Sequence, residues 1–469
     1  MPRHAALVRT LGRISAGALV AVVAVAGLSV VGASEAATPL VAKQARAANV
    51  ATPGSFTGFG FDQCQAPSQA AMDVWLERSP FLAVGIYIDG DSRACRKQTH
   101  LDAAWVSTQL SKGWRLLPIT LGPQASCQPR FPRYKDDFRI SAKQDADKGY
   151  ATALRQGRTQ AKKSVAAARA LGIAARSTLW YDLEGFDHTN VRCRDSALTF
   201  LSGWTRQIRA QGYLSGVYSS AGSGILALDN ARVNRPKAFT QPDQIWIARW
   251  DGVADTSTSY IRDDGWRPHA RVKQYQGGHD ETWGGVKINI DRNFLDVGRG
   301  SVAAPEATCG GTKVATYGFT LLRKRTSTRM PVPPASQVKV LQCLLKRKGL
   351  YAGRLHGLFG PKVIAAANAW QRAHGSTVQA AWTRHDWMTL FGSGKTPVLK
   401  YGSTGTAVRH LQRAIGVSGK DATTRAVRAT GVFDWKTDKA LRAWQKRVGV
   451  AVSGVAGKQT WAAVQAGRF

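Results

Sequence analysis

Ser177-Thr178-Leu179-Trp180-Tyr181-Asp182-Leu183-Glu184-Gly185-Phe186 reads as a mostly apolar strand that ends on acids. Side chains alternate along a strand, so Trp180, Asp182 and Glu184 share one face while Leu179, Tyr181 and Leu183 share the other. The strand rise alone puts the two acidic α-carbons roughly 6.5 to 7 Å apart, near enough to couple their titrations and to flank one glycosidic bond. Holding ionisable groups in an apolar strand costs desolvation, which points to chemistry. A strand end that simply emerges into water is the competing reading of this stretch alone.

Similar runs lie on either side, at residues 56–61, 82–88, 115–121, 214–219, 244–250, 272–276 and 286–291. Between several of them, notably at 149–171 and 195–210, Ala, Leu and Val recur at three- and four-residue spacing, the mark of amphipathic helices. Strands alternating with helices predict an α/β fold, a TIM-like parallel (β/α) barrel. An open doubly wound sheet is the runner-up, but no Gly-x-Gly-x-x-Gly turn follows the first strand.

A barrel of this kind gathers its functional groups at the carboxyl ends of its strands. Asp62 closes the first, Asp182 and Glu184 the fourth, Trp250 and Asp251 the sixth, Gln274 the seventh and Asp291 the eighth. Alternation collects Asp62, Asp182, Glu184, Tyr218, Trp246, Trp250, Gln274 and Asp291 on one face. Acids beside aromatic platforms suit a sugar site, since carboxyls move protons or stabilise positive charge and rings stack on sugar faces. The candidate catalytic residues are therefore Glu184, Asp182, Asp62 and Asp291. Tyr218, Trp246, Trp250, Asp251 and Gln274 are the candidate substrate contacts.

Composition bounds the partners. The 469 residues are 44% hydrophobic, enough for two or three cored domains. Lys and Arg outnumber Asp and Glu by 65 to 30, a formal charge of +35 that favours polyanions. Arg3, Arg9 and Arg13 precede an apolar run from Ile14 to Val31 followed by small residues, the layout of a secretory signal peptide. That segment is assigned to 1–37, with cleavage as late as 47, and 38–55 is a flexible lead-in. A retained membrane anchor is the alternative reading. An exported chain meets anionic cell-wall polymers before nucleic acid, and its basic residues form no recognised nucleic-acid reading motif. The chain is expected to be monomeric and secreted, either extracellular or associated with the wall.

Six cysteines in an exported chain suggest disulfides, and Cys64 with Cys95, Cys127 with Cys193 and Cys309 with Cys343 would each tie successive elements of one domain. No Cys-x-x-Cys, His-Glu-x-x-His or Gly-x-Ser-x-Gly is present, so neither metal nor cofactor is expected. His279 and Glu281 read as polar loop groups.

The tail repeats itself. Val338, Leu341 and Gln342 recur as Val408, Leu411 and Gln412, and Ala369-Trp370-Gln371 as Ala443-Trp444-Gln445. Gly357-Leu358-Phe359-Gly360 recurs as Gly431-Val432-Phe433-Asp434, and Trp387 as Trp461. Two copies of one small helical unit follow from this, at 309–392 and 396–469.

Gly58-Phe59-Gly60-Phe61-Asp62, Tyr181-Asp182-Leu183-Glu184, Gly216-Val217-Tyr218-Ser219-Ser220, Trp246-Ile247-Ala248-Arg249-Trp250, Gln274-Tyr275 and Asn289-Ile290-Asp291 stand in the order seen in glycoside hydrolase family 25 lysozymes. Residues 56–299 resemble more closely the glycoside-hydrolase-like family known as domain of unknown function 1906. The resemblance implies a TIM-like barrel that cleaves or binds a cell-wall polysaccharide. It places the proton donor at Glu184, the assisting carboxylate at Asp182 and the remaining mouth acids at Asp62 and Asp291. The tail units resemble the peptidoglycan-binding domain type 1, a three-helix module. The expected function is a secreted cell-wall glycan hydrolase, lysozyme-like in its chemistry, targeted to peptidoglycan by two binding modules. A non-catalytic polysaccharide-binding protein with a hydrolase-like barrel is the alternative.

Overall fold

The structure is a computed structural model that describes residues 49–128, 138–309, 311–314, 319 and 321–469. The signal peptide assigned to 1–37 and most of the lead-in lie outside these residues. The chain closes an eight-stranded barrel in sequence order: β1 (Phe56–Asp62), β2 (Ala83–Asp89), β3 (Arg115–Thr120), β4 (Thr178–Asp182), β5 (Leu214–Ser220), β6 (Gln244–Ala248), β7 (Ala270–Trp283) and β8 (Val286–Val297). Helices α1 (Gln69–Arg78), α2 (Ala103–Ser111), α3 (Ala151–Ala170), α4 (Val191–Ala210) and α5 (Leu226–Asn234) fill the first five crossovers, and a loop makes the one from β6 to β7.

The barrel is mixed where an all-parallel one was expected. β1 through β7 run parallel, but β8 is antiparallel to both β7 and β1. The cause is local: Gly284 and Gly285, both at positive φ, turn β7 straight back into β8 with no room for a helix. Asp291 therefore does not end its strand. It lies mid-strand, and the reversal of β8 brings it level with the mouth.

Inside the barrel Trp180, Trp246, Leu117, Ile119, Val272 and Leu295 pack into a dry plug beneath the strand ends. A larger apolar layer between sheet and helices includes Tyr181, Phe200 and Trp204. The three disulfides pair as the sequence suggested: Cys64–Cys95, Cys127–Cys193 and Cys309–Cys343.

Beyond the barrel lie α6 (Ala335–Arg347), α7 (Pro361–Ala373) and α8 (Arg384–Gly392), then α9 (Thr406–Ser418), a short α10 (Ala422–Arg425), α11 (Trp435–Val448) and α12 (Lys458–Gln465). The repeated glutamines are structural. Gln342 accepts from the Gly357 amide at 3.0 Å, and Gln412 accepts from the Gly431 amide at 2.9 Å. Gln445 likewise accepts from Gly454 at 3.0 Å and donates to the Val455 carbonyl at 3.0 Å. Each is fully buried and clamps a turn whose backbone would otherwise be unsatisfied.

The second helical unit is seated on the floor of the barrel. Lys400 is buried, and its Nζ donates to the carbonyls of Ser79 (2.8 Å), Phe81 (3.1 Å) and Trp75 (3.4 Å), capping the end of α1. Tyr401 packs edge-on against Phe59, and the Ser301 hydroxyl donates to the Gly402 carbonyl at 3.0 Å. Arg413 pairs with Glu306 on the connecting segment.

Candidate active site

The mouth of the barrel is built from strand ends. Asp62 and Asp291 are direct register partners across β1 and β8, as are Asp182 and Tyr218 across β4 and β5, and Gln274 and Asn293 across β7 and β8. Two adjoining hollows, of about 240 and 450 Å³, share Asp62, Tyr87, Asp182, Glu184 and Asp291. The first extends towards Gln63, Arg93, the Cys64–Cys95 bridge and Asn289, the second towards Tyr218, Ser220, Trp250 and Gln274. The four acids therefore sit where two parts of one cleft meet, in the size range of ligand sites.

Depth separates the acids into two pairs. Asp62 and Asp182 are 4% and 3% exposed and form the base of the cleft, whereas Glu184 and Asp291 are half-buried and reach its surface. β4 stops at Asp182, so Glu184 stands on the loop beyond it. That loop is held by Gln124, which accepts from the Glu184 amide at 2.9 Å and donates to the Asp182 carbonyl at 2.9 Å. Close packing sets the height of Asp62: a Cβ added to Gly85 on β2 would lie 2.5 Å from the Cβ of Asp62.

A chain of hydrogen bonds surrounds Asp62 with donors. Trp250 Nε1 and Tyr218 Oη both donate to Gln274 Oε1, at 2.9 and 3.0 Å, which leaves the Gln274 amide nitrogen aimed at both oxygens of Asp62, at 3.3 and 3.4 Å. Trp246 Nε1 donates to Asn293 Oδ1 at 2.7 Å, which turns the Asn293 amide nitrogen onto Asp62 Oδ1 at 2.6 Å. Indole N–H groups can only donate, so both amides are oriented and Asp62 is surrounded by donors. Burial pushes Asp62 up to about 6, against the lowering effect of its bonds from Asn293, Gln274 and Asp291. Asp291 is pushed up to about 8 by burial, then by the charge of Asp62, its hydrogen bond to Asp62 and the charge of Glu184. Burial and their mutual charge therefore favour one proton shared by the Asp62 and Asp291 pair.

Two of the expected contacts lie elsewhere. Trp246 is buried in the plug, where it orients Asn293 and does not wall the cleft. Asp251 turns aside to ion-pair with Lys273 at 2.9 Å and Arg249 at 3.1 Å. Trp250 is 65% exposed and forms a rim platform, lying across Gly277, where a Cβ would come within 2.3 Å of the indole. His279 and Glu281 belong to the extended β7–β8 hairpin: Glu281 accepts from His279 at 2.9 Å, from Trp283 at 2.8 Å and from Arg292.

Tyr87, Gln124, Asn293 and Arg93 were not foreseen. Tyr87 Oη donates to Asp182 Oδ2 at 3.2 Å, and burial, followed by the nearby acids, raises its pKa well above the ordinary phenol value, so it stays a neutral donor. The alternation that exposed Asp182 applies equally to β2 and would have put Tyr87 on the inward face at the mouth.

Comparison with known proteins agrees with this architecture. Residues 73–295 match the family model of the Rv2525c-like, glycoside hydrolase-like domain, and residues 404–464 match that of a putative peptidoglycan binding domain. The barrel is thus similar to a glycoside hydrolase-like domain, and the second helical unit to a peptidoglycan-binding domain. Among solved structures, an uncharacterized B. stearothermophilus protein is 18% identical, with 51% of this chain and 95% of that one covered at a TM-score of 0.32. The Mycobacterium tuberculosis Tat-secreted protein Rv2525c, in complex with L-tartrate, is 12% identical, with 51% and 95% covered at a TM-score of 0.33. No curated protein matches the chain.

Proposed function

We propose that the protein is an exported cell-wall glycan hydrolase that cleaves peptidoglycan, or a related amino-sugar polymer, by carboxylate acid/base chemistry. The observation that carries this reading is the convergence of Asp62, Asp182, Glu184 and Asp291 on one two-part cleft with an aromatic rim. Glu184, half-buried at the junction, is the group best placed to protonate the leaving oxygen as the glycosidic C–O bond breaks. Asp182, held by Tyr87, supplies negative charge to the oxocarbenium-like carbon. Water then adds to that carbon and returns a proton to Glu184, which restores the starting state.

Export is supported by the arginine-flanked apolar segment at the amino terminus and by three disulfides. The peptidoglycan-binding module would raise the local concentration of the barrel on an immobile polymer. The charge of +35 would add attraction to anionic wall polymers that weakens with salt.

The test is digestion of purified cell walls, read as new reducing ends and product masses. Glu184→Gln should lower the rate by about 10²- to 10⁴-fold while the variant still co-sediments with walls. Full activity in that variant would remove Glu184 from the role. Absence of any new reducing end with the wild-type protein would leave a binding protein only.

A further inference from the structure

The first hollow contains a feature that general carboxylate chemistry does not use: an arginine lining the same hollow as four acids. Arg93 lines this hollow on the loop after β2, opposite the half that holds Trp250. Its guanidinium is fixed by backbone, with Nε donating to the Gly90 carbonyl at 2.8 Å and Nη1 to the Tyr87 carbonyl at 3.3 Å. The loop itself is clamped. The Ser92 amide donates to the Leu121 carbonyl at 3.0 Å, and Cys95 is bridged to Cys64. Gln98 Nε2 donates to the Cys64 and Cys95 carbonyls at 2.8 and 2.9 Å, and Gln98 Oε1 accepts from the Ala66 amide at 2.9 Å. Among the described residues Arg93 forms no ion pair within 4.0 Å, although the charges of Asp89 and Asp91 act on it and Asp62, Asp182, Glu184 and Asp291 line the same hollow. Such a side chain is placed in advance for a charge that a ligand brings.

We infer that the Arg93 half of the cleft recognises a carboxylate carried by the sugar, so that the substrate is an acidic glycan and Arg93 sets which of its residues lies on that side. The inference rests on the glycan-binding reading of the cleft given above. A carboxylate fits better than a phosphate: one guanidinium edge is available, and the surrounding acids would repel a dianion more than a monoanion. The glycan would then run from the Trp250 platform, past the acids, to Arg93. Two sources share this chemistry, a uronic acid ring and a carboxyl on an ether arm such as that of muramic acid.

The full-length exported chain is tested at 0.15 M salt on two matched pairs: oligouronate against its carboxyl-reduced form, and peptide-free muramic-acid strands against theirs. Binding is measured by calorimetry, and cleavage by reducing ends. The wild-type protein should favour the carboxylated member of at least one pair by about tenfold or more, the size of one charge-assisted hydrogen bond. Arg93→Gln should bring that ratio close to one, and Arg93→Lys should keep part of it. Arg158→Gln, an exposed arginine on α3, should leave it unchanged, and thermal melts identify any variant that has not folded. Equal binding within both pairs, or a ratio lost equally in Arg158→Gln, overturns the inference. A binding preference without cleavage would overturn the hydrolase and keep the arginine's role, whereas cleavage of both members alike would do the reverse.

Discussion

Asp62 and Asp291 are register partners across the antiparallel β1–β8 pair, and burial raises both carboxyls. Two carboxyls so placed cannot both ionise without cost.

The first prediction concerns pH. Both carboxyls are raised in the fold, Asp62 to about 6 and Asp291 to about 8, from an ordinary value of 3.8. A raised acid favours folding while protonated, so stability is fully present below the unfolded value and declines as pH rises through 6 and then 8. Asp291→Asn keeps a donor to Asp62 without the second charge. Melting temperatures across pH 5 to 9 should therefore fall less in the variant, which should be the more stable protein by a few degrees at pH 9. Parallel curves would contradict the shared proton.

Removing the Tyr87 hydroxyl tests the support of Asp182. Tyr87→Phe should keep the fold, since the ring still fills its place, but should reduce kcat about tenfold with little change in KM, as the loss of one hydrogen bond to a charged group implies. A change confined to KM would place Tyr87 in substrate binding.

Trp250→Ala should weaken glycan binding by about tenfold through lost stacking and should cost little stability, because the indole is 65% exposed. It also frees one acceptor position on Gln274, so the pH optimum should move along with KM. Titration calorimetry with soluble glycan fragments gives the first effect, and pH–rate profiles give the second.

Lys400→Ala leaves three carbonyls at the end of α1 without their shared donor, at a cost of about 2–3 kcal/mol. The cost falls on the seam between barrel and second helical unit. Calorimetry should resolve two transitions where the wild-type protein shows one, and limited proteolysis should cut near residues 393–399.

Much of this site was legible because a strand has a period of two. Asp62, Asp182 and Gln274 were placed by alternation, and the sequence order of the strands is their order in the barrel. Asp291 was found for an incomplete reason, since a glycine pair that reverses β8 looks in the sequence much like any other turn. Trp246 obeys the alternation but lies one layer too deep, and residue height in a barrel depends on stagger between strands, which a single strand's pattern does not contain. Gln124 acts through hydrogen bonds from a loop to residues far along the chain, so no local pattern marks it, whereas Asn293 shares the face of Asp291 by alternation. In the tail, Gln342, Gln412 and Gln445 stand out as repeats, yet what they repeat is a buried clamp.

The seating of Lys400, Tyr401 and Gly402 beneath β1 puts the second helical unit at the pole opposite the cleft. A strand held by that unit would have to travel the full height of the barrel to reach the acids of the same molecule. On the proposed function, the protein would bridge neighbouring strands, held on one while its cleft meets the next.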